Sequence, residues 1–164
     1  MRAAALCLLV ALVACDTVGV DGTGPSAPEA ASEAAWTEML NAVNAARAKG
    51  ATCGSDRMRP VPAVSWDGRL EAAADRHARD MHRTGQFGHR GSDGTRVGDR
   101  ARWAGYDWRV VGETLGHRQQ TVGEVVEDWI ESPGHCRQLL APGFAEVGAA
   151  EVGGYWTLVL GTPR

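Results

Sequence analysis

The sequence lacks the signatures of several common functional classes. It has no Gly-x-Ser-x-Gly motif and no glycine-rich phosphate-binding loop, so a serine hydrolase of that type has little support. Lysine is nearly absent, since Lys49 is the single lysine among 17 basic residues, and the formal net charge is −3. A chain of that charge has no general attraction for nucleic acid or an anionic surface, so no nucleic-acid partner is expected.

The N-terminal apolar run is too short to cross a membrane. It covers residues 3–13, about a dozen residues where a membrane-spanning helix needs roughly 20. Together with the preceding Arg2, this run is typical of a signal peptide. Leu12-Val13-Ala14-Cys15 then looks like a bacterial lipobox, which predicts lipidation of Cys15. Ordinary secretory cleavage near Ala14, with an unmodified cysteine, is the alternative.

These features divide the chain into three parts. Residues 1–15 are predicted to be a signal peptide with a lipobox, residues 16–33 a flexible tether, and residues 34–164 one folded domain. The tether is predicted because glycine and proline recur there without apolar periodicity. We therefore expect an exported protein of the cell envelope, anchored to the membrane through a lipid on Cys15, with secretion as the alternative.

The folded part is predicted to be α+β, with a small antiparallel sheet covered by helices. Apolar spacing and end signals predict four helices: one between Ser32 and Gly50, one from Gly68 to Thr84, a short one within 95–104, and one that opens at Thr121 and stops at Pro133-Gly134. Residues 109–113 are predicted to be a strand, 146–151 and 155–160 a hairpin, and 51–63 a loop.

Two cysteines, Cys53 and Cys136, fall outside the leader. In an exported protein such a pair is most simply a disulfide, which would stabilise by roughly 4 kcal/mol in the chain-entropy model. Two alternatives remain open at this point. The thiols are free, or Cys136 ligates a metal beside His135.

Two histidines and a glutamate lie at the ends of separate elements. His89 follows Phe87-Gly88, Glu113 ends a strand, and His135 follows a Pro-Gly pair. Each alone is more simply a hydrogen-bonding or solvated residue. If the fold brings them into one cleft, they are suited to metal binding and proton transfer. By contrast, His77 lies on the apolar face of its helix and is predicted to be a core histidine.

A longer pattern makes the chain recognisable. Its parts, in order, are Asn44-x-x-Arg47, Trp66-Asp67-x-x-Leu70, His77-Ala78-x-Asp80-Met81, Phe87-Gly88-His89, Ser92-Asp93-Gly94, Arg100, Gly105-Tyr106, Gly112-Glu113, Trp129-x-x-Ser132-Pro133-Gly134-His135 and Phe144-x-Glu146-Val147-Gly148. In that order and spacing the chain resembles the bacterial branch of the CAP superfamily, which includes cysteine-rich secretory proteins, venom allergens and pathogenesis-related proteins and is also called the SCP domain family. The resemblance covers nearly all of Trp36–Leu160.

The resemblance implies an α-β-α sandwich with a cleft of two histidines and acidic residues, in which the histidines of some members bind zinc. Carried over, His89 and His135 are the implied metal ligands and Glu113 is the implied cleft glutamate. The family's Gly-Glu-Asn motif has Thr114 in place of asparagine. The family's second acidic residue aligns with Ser132, beside Glu131. Glu131 or Ser132 is therefore the candidate fourth group.

Three functional hypotheses follow. The first is a cleft that binds a divalent metal, with Zn²⁺ as the candidate cofactor, or a lipid or cell-surface ligand, since some family members bind lipids and sterols. The second is a zinc-assisted hydrolase in which Glu113 is the general base. The third is a structural interaction module without catalysis.

Overall fold

The computed structural model describes the backbone of residues 27–164 and the side chains of residues 33–164. The predicted signal peptide, Cys15 and the first part of the tether lie outside the described residues. Within the described part, no helix combines the length and the apolar character that a membrane span requires.

Five helices and six strands make up the described part of the chain. They follow the order α1 (Ala27–Lys49), β1 (Ala51–Cys53), β2 (Asp56–Met58), β3 (Ser65–Trp66), α2 (Gly68–Thr84), α3 (Val97–Trp103), β4 (Trp108–His117), α4 (Val122–Glu131), α5 (Pro133–Leu139), β5 (Glu146–Val152) and β6 (Tyr155–Pro163). The main sheet has the order β3-β5-β6-β4, so β4 is an outer strand. Its pairings are antiparallel except for the short parallel pair β3–β5.

Helices cover both faces of this sheet, and the alternation of side chains along β6 shows it. Trp156, Leu158 and Leu160 pack into a core cluster with α1 and α4. The intervening Val159 packs on the other face against Leu70 of α2 and its neighbours. Because successive strand residues point to opposite faces, a fully buried strand of this kind belongs to the middle of a sandwich. The predicted α-β-α arrangement is confirmed.

Several element boundaries agree with the sequence signals. Helix α2 runs from Gly68 to Thr84 as predicted, and Gly85 ends it with φ of 68°, a left-handed conformation that glycine adopts at low cost. Thr121 caps α4 by accepting a hydrogen bond from the Glu124 backbone N–H. The β5–β6 hairpin turns at residues 153–154.

Four local expectations need correction. Helix α1 begins at Ala27, upstream of the expected cap at Ser32 and within the predicted tether, because its first turns are rich in alanine and glutamate. The expected loop 51–63 contains the β1–β2 hairpin. Strand β4 continues to His117, beyond the expected end at residue 113.

The fourth correction concerns Pro133. It ends α4 as expected, but it also begins α5, where the fixed φ of proline suits the first helical turn. His135 and Cys136 therefore lie on a helix and not in a turn.

Candidate functional site

The three residues singled out in the sequence come from three elements at one side of the sheet. His89 lies in the loop between α2 and α3, Glu113 lies on the outer strand β4, and His135 lies in the first turn of α5. The position of β4 at the sheet edge leaves Glu113 next to a loop on one side, and α5 packs against β4 as well.

Glu113 holds the ring of His89. The distance between His89 Nδ1 and Glu113 Oε1 is 2.9 Å. A carboxylate only accepts hydrogen bonds, so Nδ1 carries the proton and Nε2 of a neutral His89 keeps its lone pair. The Glu113 side chain is 2% exposed, whereas that of His89 is 59% exposed. The buried carboxylate thus fixes the tautomer of an imidazole that faces solvent.

Arg100 of α3 supports this pair from behind. Its Nη2 donates to Glu113 Oε2 at 2.6 Å and to the His89 carbonyl oxygen at 3.3 Å, and its Nη1 donates to the Thr95 carbonyl oxygen at 3.1 Å. The Arg100 side chain is almost fully buried. Arg100 therefore ties the backbone at His89 and at Thr95 to the carboxylate that orients the ring. The sequence pattern contained Arg100 but assigned it no role.

His77 is a buried residue of α2, as predicted. Its Nε2 lies 2.8 Å from the carbonyl oxygen of Gly88 and 3.9 Å from Glu113 Oε1. Burial lowers the pKa of His77, although the charge of Glu113 opposes that shift. A neutral His77 donates from Nε2 to Gly88 and so fixes the backbone next to His89.

His135 is half-buried, and burial lowers its pKa. The positive charge of protonated His89 lowers it further. A histidine with a lowered pKa remains neutral, and thus able to bind a metal, at lower pH than a free imidazole.

Of the two candidate fourth groups, Glu131 does not complete a tetrad with the histidines. Glu131 is exposed at the end of α4 and lines a groove between α1 and α4. Ser132 precedes α5 and makes no side-chain capping hydrogen bond. In residues 33–164, no three histidine, cysteine or acidic side chains are placed to hold one metal ion.

The predicted disulfide is present between Cys53 and Cys136, with the two Cα atoms 5.5 Å apart. It joins the β1–β2 hairpin to α5 directly beside His135. Arg137 strengthens the connection by donating to the Cys53 carbonyl oxygen at 3.2 Å and to Asp56 at 3.1 Å. The alternatives of free thiols or of Cys136 as a metal ligand are excluded by this bond.

A family model described as the cysteine-rich secretory protein family, CAP, matches residues 40–157, most of the described chain. The chain belongs to this family. The family assignment made from the sequence pattern is thereby confirmed.

Among relatives of the CAP domain, the uncharacterised protein YkwD of Bacillus subtilis is 30% identical over 93 residues, 56% of this chain and 36% of that protein. An extracellular SCP-domain protein of Bacillus anthracis has a TM-score of 0.71 at 20% identity, covering 85% of this chain and 45% of its own. An outer surface protein of Borrelia burgdorferi has a TM-score of 0.62 at 17% identity, covering 77% and 94%. The chain thus spans less than half of the two Bacillus proteins.

Within this CAP domain, Glu113 has the geometry of a positioning residue. Oε1 accepts from His89, Oε2 accepts from Arg100, and the side chain is nearly inaccessible. A general base must reach the proton that it removes. The geometry therefore favours Glu113 as the group that orients His89 over Glu113 as the base of a hydrolase.

Proposed function

We propose that the cleft of this CAP domain binds a divalent metal ion, with Zn²⁺ as the first candidate, through His89 and His135. The observation that carries this proposal is the hydrogen bond from His89 Nδ1 to Glu113. Metal-ligating histidines characteristically donate their second ring nitrogen to a carboxylate, which fixes the ring and raises its basicity.

The donor chemistry fits zinc, because neutral imidazole nitrogen is one of its preferred ligands. Bound there, the ion would supply a Lewis acid that lowers the pKa of a coordinated water. Two protein ligands leave the other positions to water, so we expect weaker binding than in a closed four-ligand site. Arg100 and Glu113 would hold His89 in place, and His135, whose pKa burial lowers, would stay neutral to lower pH than a free imidazole.

Isothermal titration with Zn²⁺ tests the metal proposal. His89→Ala and His135→Ala should each lose most of the binding, and Glu113→Gln should weaken it by about 10- to 100-fold. His117→Ala is the matched control, because His117 stacks on Tyr155 with ring centroids 4.1 Å apart and takes no part in the His89–Glu113 contact. Equal titrations for the wild type and all three histidine variants would remove the metal hypothesis.

A lipid ligand is the second candidate, and a groove between α1 and α4 favours it. This groove has a volume of about 750 Å³ and an apolar floor that includes Ala46, Val126 and Ile130. Lys49 lines the groove and would pair with the carboxylate of a fatty acid, although Glu127 and Glu131 line it as well. Ala46→Trp, which fills the groove, should abolish displacement of a fluorescent fatty acid and leave zinc binding intact. Unchanged fatty-acid binding in this variant would exclude the groove.

We further propose that the domain is exported and anchored to the envelope through a lipidated Cys15. The lipobox supports this, as do the extracellular and outer-surface relatives. In the native host, the wild type should partition into the detergent phase of Triton X-114 and Cys15→Ala into the aqueous phase. A Cys15→Ala protein that stays in the detergent phase would refute anchoring at this residue.

A further inference from the structure

A pocket away from His89, Glu113 and His135 is lined by tryptophan and carboxylate side chains. We call it the tryptophan pocket; it has a volume of about 300 Å³, and the residues that matter here are Trp36, Trp66, Trp156, Glu71, Asp75 and Glu151. They come from α1, β3, β6, α2 and β5, whereas His89, Glu113 and His135 lie on the 85–96 loop, β4 and α5. Its size is at the lower end of the range for small-molecule sites.

The aromatic walls are held in place. Trp66 donates its indole N–H to Glu71 Oε2 at 3.1 Å, and Trp156 donates to the Gln119 carbonyl oxygen at 2.9 Å. Trp36 stacks on Trp66 with ring centroids 6.1 Å apart and an interplanar angle of 27°. Rings fixed in this way do not have to be ordered when a ligand binds, which lowers the entropic cost of binding.

The charge of the pocket is negative. Three carboxylates line it, and none of the described lining residues is lysine or arginine. Asp75 is paired with Arg79 at 2.7 Å, outside the lining. The pKa of Glu71 is raised, chiefly by burial and also by the neighbouring charge of Asp75, and the hydrogen bond from Trp66 partly opposes this shift. A cation in the pocket would stabilise the ionised form of Glu71.

We propose that the tryptophan pocket binds a small organic ammonium ion, such as a quaternary ammonium group. The faces of tryptophan rings attract cations, and aromatic cages that bind methylated ammonium groups combine such rings with nearby negative charge. A hydrated metal ion would gain nothing from the ring faces and would lose its water, so the combination of rings and carboxylates selects an organic cation. The ammonium group could belong to a free solute or to a lipid headgroup.

Titration of the ¹⁵N-labelled protein with choline, followed through the tryptophan indole N–H signals in two-dimensional NMR, tests this site. We expect saturable shifts for Trp36 and Trp66 at millimolar choline and no shift for Trp103, which is 59% exposed and stands outside the pocket. 3,3-Dimethylbutan-1-ol, a neutral molecule of the shape of choline, and sodium chloride at equal ionic strength are the ligand controls. Equal shifts with choline and the neutral alcohol would overturn the proposal.

Two variants sharpen the test. Glu71→Gln should weaken choline binding by about fivefold or more, and Trp36→Ala should do the same, while Trp103→Ala binds like the wild type. Full affinity in both pocket variants would overturn the proposal, even if the wild type binds choline.

Phosphatidylcholine vesicles distinguish the source of the ammonium group. If Cys15→Ala protein sediments with the vesicles and the added Trp36→Ala change abolishes this, the site accepts a lipid headgroup. Choline binding without sedimentation identifies a free ammonium compound. Either result supports the proposal if Glu71→Gln also weakens choline binding. Failure of choline to shift the indole signals refutes the site.

Discussion

Replacing Arg100 by methionine should destabilise the domain more than most single changes. Methionine keeps an unbranched, flexible stem but leaves Glu113 buried without its cation, since the two side chains are 1% and 2% exposed and lie 2.6 Å apart. Removing one partner of a buried ion pair costs about 3–5 kcal/mol. The hydrogen bonds to the His89 and Thr95 carbonyl oxygens are lost as well.

Urea unfolding of the wild type and the variant measures this cost as a difference in the free energy of unfolding. Arg83→Met is the matched control, because Arg83 also pairs with a carboxylate, that of Asp80, but its side chain is 69% exposed. The change in the free energy of unfolding of this variant should lie within experimental error. Arg100→Met combined with Glu113→Leu should recover much of the stability, because no unpaired charge then remains buried.

Two results would refute this reasoning. One is a loss of less than about 1 kcal/mol in Arg100→Met, which would mean that water or another cation compensates Glu113. The other is a double variant no more stable than Arg100→Met, which would place the cost in the lost backbone hydrogen bonds and not in the uncompensated charge.

Three further predictions concern packing, covalent linkage and pH. Gly148→Ala should lower the free energy of unfolding by about 3 kcal/mol or more, because the added Cβ would lie 2.1 Å from the backbone nitrogen of Glu71 and α2 would have to move. Gly123→Ala is the control, since the nearest neighbour of its Cβ would be 3.9 Å away. Equal stability of the two variants in thermal or urea unfolding would contradict the close approach at Gly148. Removing the disulfide by changing both cysteines to alanine should cost about 4 kcal/mol, since the bond joins residues 83 apart, and urea unfolding that differs by less than 1 kcal/mol would contradict the estimate. The pKa of His135 is lowered by burial and by His89, so below the ordinary pKa of 6.5 the unfolded chain binds more protons at this residue than the folded chain does. The contribution of neutral His135 to stability is therefore present above pH 6.5 and is lost as the pH falls below it. The free energy of unfolding should therefore fall less steeply between pH 7.5 and pH 5 for His135→Ala than for the wild type. Identical slopes would count against the lowered pKa of His135.

Much of the fold could be predicted from local signals. The extent of α2 followed from its apolar stripe and from Gly85, and Thr121 marked the start of α4. Such signals can be recognised in the sequence because helix caps and apolar periodicity involve residues that are close together in the chain. The start of α1 was missed because its proline indicated a tether, whereas the alanine-rich composition of the segment forms a helix. The β1–β2 hairpin was missed because a disulfide to a distant helix stabilises it, and local sequence signals do not show such a contact.

The candidate site divides in the same way. The sequence determined which side chains are candidates for the site, namely His89, Glu113 and His135, and which two cysteines were available to pair. Only the tertiary structure decided which of these groups are buried and which contact one another, because hydrogen bonds and burial join residues that the sequence separates. Glu113 became a buried positioning group once Arg100, thirteen residues earlier, paired with it. Glu131, within the same motif, lines another groove, because α4 ends at Glu131 and His135 belongs to the next helix, which begins at Pro133.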